Sequence, residues 1–298
     1  AEAPQKLAFF TGRDQSQSFT SFFAQAFGTP NYAAHGGFCS VNMAAAGIYT
    51  MGGAFWEFGQ PDWDRTKMFM LFGVAEDHDS NPIKMGLGKL KKRGAKVIGV
   101  NPIRSGYNAV ADEWVGITPG TDGLFILALE HELMKAGKID LDYLANLTNA
   151  PVLVNGDPKS EDFGLLMRDK DNKYMVIDRV TCKPAAYDKK GVRPALRGSL
   201  REKGNSHRSE LHLMIEKYLD PQYAPEAVAK RTGISAARIK RIAAELADVA
   251  FNQAIEIDQE WTDFRGEKHA KMVGRPVAFH SMRGVSAQNL NVMLLIHN

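Results

Sequence analysis

The chain has 298 residues, of which 44% are hydrophobic and 24% are charged. This composition excludes disorder as a description of the whole chain, and the length is enough for one large or two medium domains. The 37 Lys and Arg residues exceed the 34 Asp and Glu residues by a net charge of +3. That charge is too small to indicate a nucleic acid or an anionic membrane as the partner.

The apolar stretches of the chain are too short to cross a membrane. The longest cover residues 68–75 and 124–129, whereas a bilayer needs roughly 18 apolar residues in a row. Residues 1–10 lack the basic start and the sustained apolar core of a secretory leader. Such a leader is therefore either not needed or already removed, and the sequence predicts no direct membrane span.

Cys39 and Cys182 are the cysteines of the chain, and they form no CxxC pair. Two isolated cysteines cannot by themselves bind zinc or an iron–sulfur cluster. A disulfide between them is geometrically possible, but unpaired thiols in a reducing compartment are the more common arrangement in a chain of this size.

Residues 67–138 show the clearest alternation of predicted elements. The apolar run 68–74 is typical of a strand buried on both faces. Pro82 suits the first turn of the helix that follows, and Gly94 ends that helix. A second apolar strand covers 95–100. A strand, a helix and a strand in this order require a parallel sheet.

The alternation continues toward the C-terminus. A third strand is predicted at 113–117, and a turn at 118–122 leads into an apolar helix closed by Gly137. The pattern becomes irregular over 149–209, where we expect a hairpin and long surface loops. Further on, we predict a helix from Ser235, as N-cap, to Ala247, and a strand over residues 276–280. The sequence thus predicts an α/β fold with doubly wound, mostly parallel sheets.

Ligands of such sheets gather at the carboxyl edge, the edge at which the parallel strands end. Four loops qualify, at 73–81, 101–106, 119–123 and 283–289. Arg104 and Ser105 are suited to hold a phosphate, although a solvated turn would have the same sequence. Asp122 is suited to bind a base or a ribose, with helix capping by Thr121 or Asp122 as the alternative. Gly86 and Gly88 complete neither a GxGxxG motif nor a P-loop, so an ordinary dinucleotide or ATP site is not supported.

Cys39 follows a Gly36-Gly37 turn and precedes a run of residues that favours a helix. At a helix N-terminus the macrodipole lowers a thiol pKa, so Cys39 is a candidate nucleophile or metal ligand, with simple packing as the alternative. His35 is the obvious base nearby, and it serves equally well as an ordinary loop histidine, which disfavours a hydrolytic triad.

A series of short motifs occurs in order along the chain. They are Thr11-Gly-Arg13, Cys39, the strand ending at Gly73, residues 100–104 with 111–114, the turn at 119–122, the helix entry at 232–235, and Arg283-Gly284. Together they resemble the large catalytic subunits of the molybdopterin oxidoreductase family, the group that includes dimethyl sulfoxide reductase, periplasmic nitrate reductase, formate dehydrogenase and polysulfide reductase.

This resemblance implies a cofactor and the residues that hold it. The cofactor is molybdenum, or tungsten, carried by two molybdopterin guanine dinucleotides, and Cys39 matches the position that supplies a metal ligand. Catalytic roles toward the small-molecule substrate or its protons would fall to His35 and Asn42, with His78 as a further candidate. The expected cofactor-binding residues are Gly73, Glu76, Asn101, Arg104, Ser105, Gly120, Asp122, Arg283, Gly284 and Ser286.

The chain also departs from the family. Members with a 4Fe–4S cluster carry four cysteines ahead of the region where this chain starts, and members extend well past the position of Asn298. We therefore expect a partial chain whose full-length subunit holds the cluster. The resemblance implies two partners, an iron–sulfur electron-transfer subunit together with a membrane anchor subunit. It suggests a cytoplasmic location, with association to the membrane through those partners, and leaves the periplasm open.

The residues around Cys39 bear on the substrate. Ser40 stands where formate dehydrogenases carry histidine, and a cysteine ligand disfavours nitrate reductases of the membrane-bound type and dimethyl sulfoxide reductases. Residues 36–42 and 76–81 resemble the sulfite dehydrogenase and polysulfide or thiosulfate reductase branch. This predicts two-electron transfer of an oxygen or sulfur atom on a sulfur oxyanion such as sulfite. The alternatives are a formate dehydrogenase or nitrate reductase-like enzyme, and a non-catalytic module that binds a guanine nucleotide.

The resemblance further implies a discontinuous domain plan. Residues 1–34 and 251–298 would belong to one α/β molybdopterin-binding domain. Residues 35–250 would form a second, Rossmann-like domain inserted in the first, with the irregular excursion at 149–209.

Overall fold

The computed structural model describes residues 2–12, 17–34, 41–52, 61–74, 82–263 and 266–281. They fall into two compact units. The first unit lies within Ala1–Ile126, Ala229–Ile234 and Pro276–Asn298, and the second comprises Leu127–Val228 and Ser235–Arg275. Each unit contains both helices and strands, which confirms the predicted α/β class.

The helices and strands are numbered in chain order. The helices are α1 Gln17–Phe27, α2 Val41–Met51, α3 Pro82–Lys92, α4 Tyr107–Val110, α5 Asp122–Lys135, α6 Leu141–Leu147, α7 Glu210–Tyr218, α8 Pro225–Thr232 and α9 Ala236–Ala247. The strands are β1 Ala8–Thr11, β2 Asn31–Ala34, β3 Met68–Phe72, β4 Lys96–Val100, β5 Glu113–Val115, β6 Leu153–Val154, β7 Met175–Ile177, β8 Pro184–Ala186, β9 Ser199–Glu202, β10 Asn205–Ser209, β11 Ile255–Ile257, β12 Trp261–Thr262, β13 Lys268–His269, β14 Met272–Gly274 and β15 Val277–Ser281.

A four-stranded parallel sheet in the order β15-β3-β4-β5 forms the centre of the first unit. Its strand β3, Met-Phe-Met-Leu-Phe, is buried along its whole length, as an apolar run without polar alternation predicts. The predicted strands at 68–74, 95–100 and 113–117 are therefore confirmed, together with their parallel arrangement. The late strand predicted at 276–280 is also present, and it pairs with β3 from Val277↔Met68 to Ser281↔Phe72.

Helices cover both faces of this sheet. On one face Phe69 and Leu71 share a buried cluster with Leu87 and Leu90 of α3. On the other face the ring of Phe72 lies 6.3 Å from that of Phe125 in α5. A helix on each face is the arrangement of a doubly wound sheet.

Glycine at position 86 of α3 allows a close approach of Trp63. A Cβ atom there would lie 2.6 Å from the indole ring, which in turn packs on Phe69 at 5.3 Å between centroids. Gly86 therefore permits α3 to pack closely against Trp63.

A smaller parallel pair in the same unit joins β1 to β2, with Ala8 opposite Asn31 and α1 as the connection. The Thr29 hydroxyl donates to the Leu7 carbonyl oxygen over 2.5 Å and so holds the entry of β2 against that of β1.

The second unit is built from small antiparallel sheets and helices. A hairpin of β9 and β10 pairs with β6, and β7 pairs with β8. The hairpin expected within 149–209 is therefore present. Helix α9 is also as predicted, because the Ser235 side chain accepts from the Arg238 N–H and the face containing Ile239 and Ile242 is fully buried.

Strand β15 pairs with β3, so residues 277–281, predicted for the first domain, share a sheet with residues 68–72, predicted for the inserted domain. The predicted division into 1–34 with 251–298 and 35–250 nevertheless stays a prediction. Among the helices that the structure describes, none has the length and apolarity needed to cross a bilayer.

Candidate functional site

The carboxyl edge of the four-stranded sheet brings two of the predicted loops side by side. The N–H of Gly73 donates to the Val100 carbonyl oxygen over 3.0 Å, and the N–H of Asn101 donates to that of Val115 over 3.1 Å. Gly73 has a φ of +66°, a left-handed backbone conformation that residues with a Cβ atom rarely adopt. The chain can therefore turn directly at the end of β3, with its backbone close to any ligand at this edge.

The loop at 101–106 has a fixed base and an exposed tip. Asn101 is buried, and its carbonyl oxygen accepts from Trp114 Nε1 over 2.9 Å. Arg104 and Ser105 at the tip are both exposed. A guanidinium beside a hydroxyl, both open to solvent on an anchored loop, is an arrangement that can bind a phosphate.

Asn108 is a residue that sequence reasoning missed. It is fully buried, and its Nδ2 donates to the Val74 carbonyl oxygen over 2.9 Å and lies 3.4 Å from that of Ser105. The side chain therefore joins the two loops. Only its sequence neighbourhood, a polar residue after the Arg104-Ser105 turn, gave any signal of this role.

The turn after β5 shows which of Thr121 and Asp122 caps helix α5. The Thr121 carbonyl oxygen accepts the first helical bond, from the Phe125 N–H over 3.2 Å, which makes Thr121 the N-cap residue and Asp122 the first residue of α5. Gly120 has a φ of +80° and lets the turn close. Asp122 is 6% exposed and lies where the helix macrodipole favours a negative charge. Its role in ligand binding stays a prediction.

Asp112, within one of the motifs of the resemblance, supports the sheet at the start of β5. Its carboxylate accepts from the Val97 N–H over 2.8 Å and from Lys91 Nζ over 3.0 Å. Burial by itself would raise the pKa of Asp112, but these two hydrogen bonds and the positive charges of Lys91 and Lys96 together outweigh it and hold the pKa below its ordinary value. Asp112 is thus an ionised support for the sheet, remote in register from the carboxyl edge.

His280 is a second residue that the sequence analysis did not single out. It is the penultimate residue of β15 and lies opposite Leu71 in register. Burial lowers the pKa of His280 from its ordinary value of 6.5, which favours the neutral imidazole. Its Nε2 is buried and has no hydrogen-bond partner within the described ranges. A histidine in an apolar strand, one residue before its carboxyl end, is the signal that could have indicated it.

Several predicted site residues lie outside the described residues. These are His35, Cys39, Glu76, His78, Arg283, Gly284 and Ser286. Asn42 lies in helix α2, and at this residue the structure describes the backbone alone. Helix α2 begins at Val41, shortly after Cys39 in the sequence. Cys182 is an exposed free cysteine, and no group of three or more potential metal ligands occurs in the part of the chain that the structure describes.

The model of the family described as molybdopterin oxidoreductase matches residues 3–283. The chain is 48% identical over 300 residues to a sulfite dehydrogenase subunit of Allochromatium vinosum, across 97% of this chain and 31% of the relative. It is 28% identical to the thiosulfate reductase molybdopterin-containing subunit PhsA of Salmonella typhimurium, across 49% of this chain and 19% of that one.

The fold is also similar to that of a solved structure, acetylene hydratase from Pelobacter acetylenicus. The TM-score is 0.52 at 15% sequence identity, with 98% of this chain and 29% of that chain covered. This likeness supports the fold alone. The chain thus spans about a third, or less, of the length of the relatives that it matches.

Proposed function

The chain belongs to the molybdopterin oxidoreductase family, and on this premise we propose that it is part of the catalytic subunit of a molybdoenzyme acting on a sulfur oxyanion such as sulfite. The observation that carries the choice of substrate is the 48% identity to a relative named as a sulfite dehydrogenase subunit. The similarity to a thiosulfate reductase subunit supports the same class of sulfur compounds.

The described residues at the carboxyl edge fit a cofactor with phosphate and nucleotide parts. Arg104 and Ser105 present an exposed cation and a hydroxyl, Gly73 turns the backbone toward the edge, and Asp122 is a buried carboxylate at a helix N-terminus. These donors and acceptors suit a molybdopterin guanine dinucleotide.

In this proposal each described residue has one task. Arg104 and Ser105 bind the diphosphate, and the Gly73 and Gly120 turns allow the backbone to approach it. Asp122 accepts hydrogen bonds from the guanine or ribose, because a carboxylate is an acceptor and guanine presents N–H donors. Asn101 supports the loop that carries Arg104. The remaining expected cofactor-binding residues are Glu76, Arg283, Gly284 and Ser286.

Cys39 would ligate the metal as a thiolate, a soft ligand suited to molybdenum or tungsten. When bound, the cofactor supplies two-electron redox chemistry. For sulfite, one oxygen atom comes from water, and two protons and two electrons leave as sulfate forms. We assign His35, Asn42 and His78 to holding the substrate or taking these protons.

The electrons need an acceptor, which we propose to be a 4Fe–4S cluster of the full-length subunit. Two partner subunits follow in this proposal, one that carries iron–sulfur clusters and one that anchors the complex in the membrane. The proposed location is the cytoplasmic side of a membrane or the periplasm. We also retain the proposal that 1–34 with 251–298 and 35–250 form two cofactor-binding domains.

Analysis of the purified intact subunit tests this function. We expect molybdenum or tungsten together with bound guanine nucleotide, and dye reduction that depends on sulfite more strongly than on thiosulfate, tetrathionate or formate. Guanine nucleotide without metal would support the non-catalytic binding module instead. Preference for formate would overturn the sulfur substrate and leave the family assignment intact.

A further inference from the structure

Asn108 connects two chain segments that are distant in sequence. Its Nδ2 atom donates to the carbonyl oxygen of Val74, 34 positions away, over 2.9 Å, and also lies 3.4 Å from the carbonyl oxygen of Ser105. Val74 directly follows the Gly73 turn, and Ser105 directly follows Arg104. One side chain therefore touches the backbone of both loops that we propose for the cofactor.

Strand β4 fixes the position of this side chain. A Cβ atom added at Gly99 would lie 2.3 Å from Asn108 Oδ1 and 3.3 Å from its Cα, so only glycine leaves room for the amide. A glycine inside a central strand is unfavourable unless another group approaches closely, and Asn108 is that group. The amide is fully buried and rests against the sheet.

From these contacts we propose that Asn108 is a positioning residue, which sets the spacing between the Gly73–Val74 turn and the Arg104-Ser105 tip so that both bind one cofactor. The inference rests on the proposed function. It assigns Asn108 no direct contact with substrate or metal. The amide is suited to this task because its Nδ2 atom interacts with two backbone carbonyl oxygens. Such interactions fix the path of the loop backbone and do not depend on the side chains of the loops.

Two substitutions in the intact subunit separate positioning from packing. Asn108→Leu keeps the branching of the side chain at Cγ but donates no hydrogen bond, and it leaves the Val74 oxygen buried without its donor. Asn108→Asp keeps the size and an oxygen acceptor, and it donates to Val74 only while its carboxyl group is protonated. Asn146→Leu is the matched control, since Asn146 Nδ2 donates to the Asp142 carbonyl oxygen over 2.9 Å on the exposed surface of α6.

The measurement is the rate at which bound guanine nucleotide leaves the purified protein on dialysis, with hydrogen–deuterium exchange of residues 101–106 alongside. We expect Asn108→Leu to release the nucleotide about tenfold faster than the wild type, since a lost buried hydrogen bond is worth roughly that factor. Asn108→Asp should release it slowly at low pH and faster as the pH rises, whereas the wild type and Asn146→Leu should show no such pH dependence.

A lower melting temperature of Asn108→Leu with unchanged nucleotide release would overturn the inference, because it would indicate packing alone. Release from Asn108→Asp that does not vary with pH would overturn it as well, and this variant remains informative where Asn108→Leu does not fold. A wild-type subunit without any guanine nucleotide would instead overturn the proposed function.

Discussion

The indole Nε1 of Trp114 donates to the carbonyl oxygen of Asn101 over 2.9 Å. This hydrogen bond ties the base of the Arg104 loop to strand β5. Gly116 leaves space for the same indole, since a Cβ there would lie 3.1 Å from the ring. The loop proposed to bind the diphosphate is thus anchored from the neighbouring strand.

Trp114→Phe should remove this anchor and keep most of the aromatic packing. We expect the free energy of unfolding to fall by about 1 kcal/mol, the typical net value of a hydrogen bond within a folded protein. Urea denaturation measures it. The control is Trp261→Phe, because Trp261 Nε1 makes a similar hydrogen bond to the Lys271 carbonyl oxygen at an exposed position. This substitution should lower the free energy of unfolding by less than roughly 0.5 kcal/mol.

Gly73→Ala should strain the turn at the end of β3, where φ is +66°. We expect a loss of about 1–2 kcal/mol in unfolding free energy and weaker retention of the nucleotide. Gly88→Ala is the matched control, since it lies in α3 with open space around its Cα, and it should be neutral or stabilising by up to roughly 1 kcal/mol. Equal effects of the two substitutions would contradict a special role of the Gly73 turn.

Arg104→Ala should separate binding from stability. Because Arg104 is exposed, the melting temperature should hardly change, whereas retention of guanine nucleotide should weaken about tenfold through loss of a charged hydrogen bond. Quantifying the nucleotide per chain after dialysis checks this. Arg197→Ala, at another exposed arginine, is the control. If both variants keep the nucleotide equally well, the phosphate role of Arg104 is wrong.

Glu130 predicts a pH dependence of stability. Burial raises the pKa of Glu130 from 4.5 to about 8. The Glu130 carboxyl group therefore ionises from about pH 4.5 in the unfolded chain but stays neutral up to about pH 8 in the folded chain. Because the folded chain holds the proton more tightly, the free energy of unfolding falls as the pH rises through this window, by at most about 1.4 kcal/mol per pH unit.

Glu130→Gln removes this titration. The variant and the wild type should unfold alike near pH 4.5, and the variant should become the more stable of the two toward pH 8. Chemical denaturation at several pH values measures the difference. Two parallel stability curves would show that Glu130 titrates normally in the folded chain.

Local patterns were enough to predict much of the first unit and of α9. Strand β3 is an uninterrupted apolar run, strand β4 has no charged or polar side chain after Lys96, and Ser235 is followed by apolar residues at helical spacing. Each of these elements is therefore determined by its own residues. The position of β15 beside β3 could not be predicted in this way, because the partner of a parallel strand is set by long-range packing.

The candidate site shows the same limit. Gly73, Asn101 and Asp122 could be placed at the carboxyl edge because each follows a predicted strand closely in the sequence. The contact of Asn108 with Val74 could not, because it depends on how two loops meet after the sheet has formed. The burial of His280 likewise follows from the packing around β15.

X-ray absorption spectroscopy at the metal edge of the intact subunit tests most directly whether Cys39 ligates a molybdopterin-bound metal. We predict a sulfur ligand that disappears in Cys39→Ala and remains in Cys182→Ala, the substitution of the exposed cysteine. Absence of both molybdenum and tungsten from the intact protein, or a metal whose sulfur ligands are the same in the wild type and in Cys39→Ala, would contradict the account.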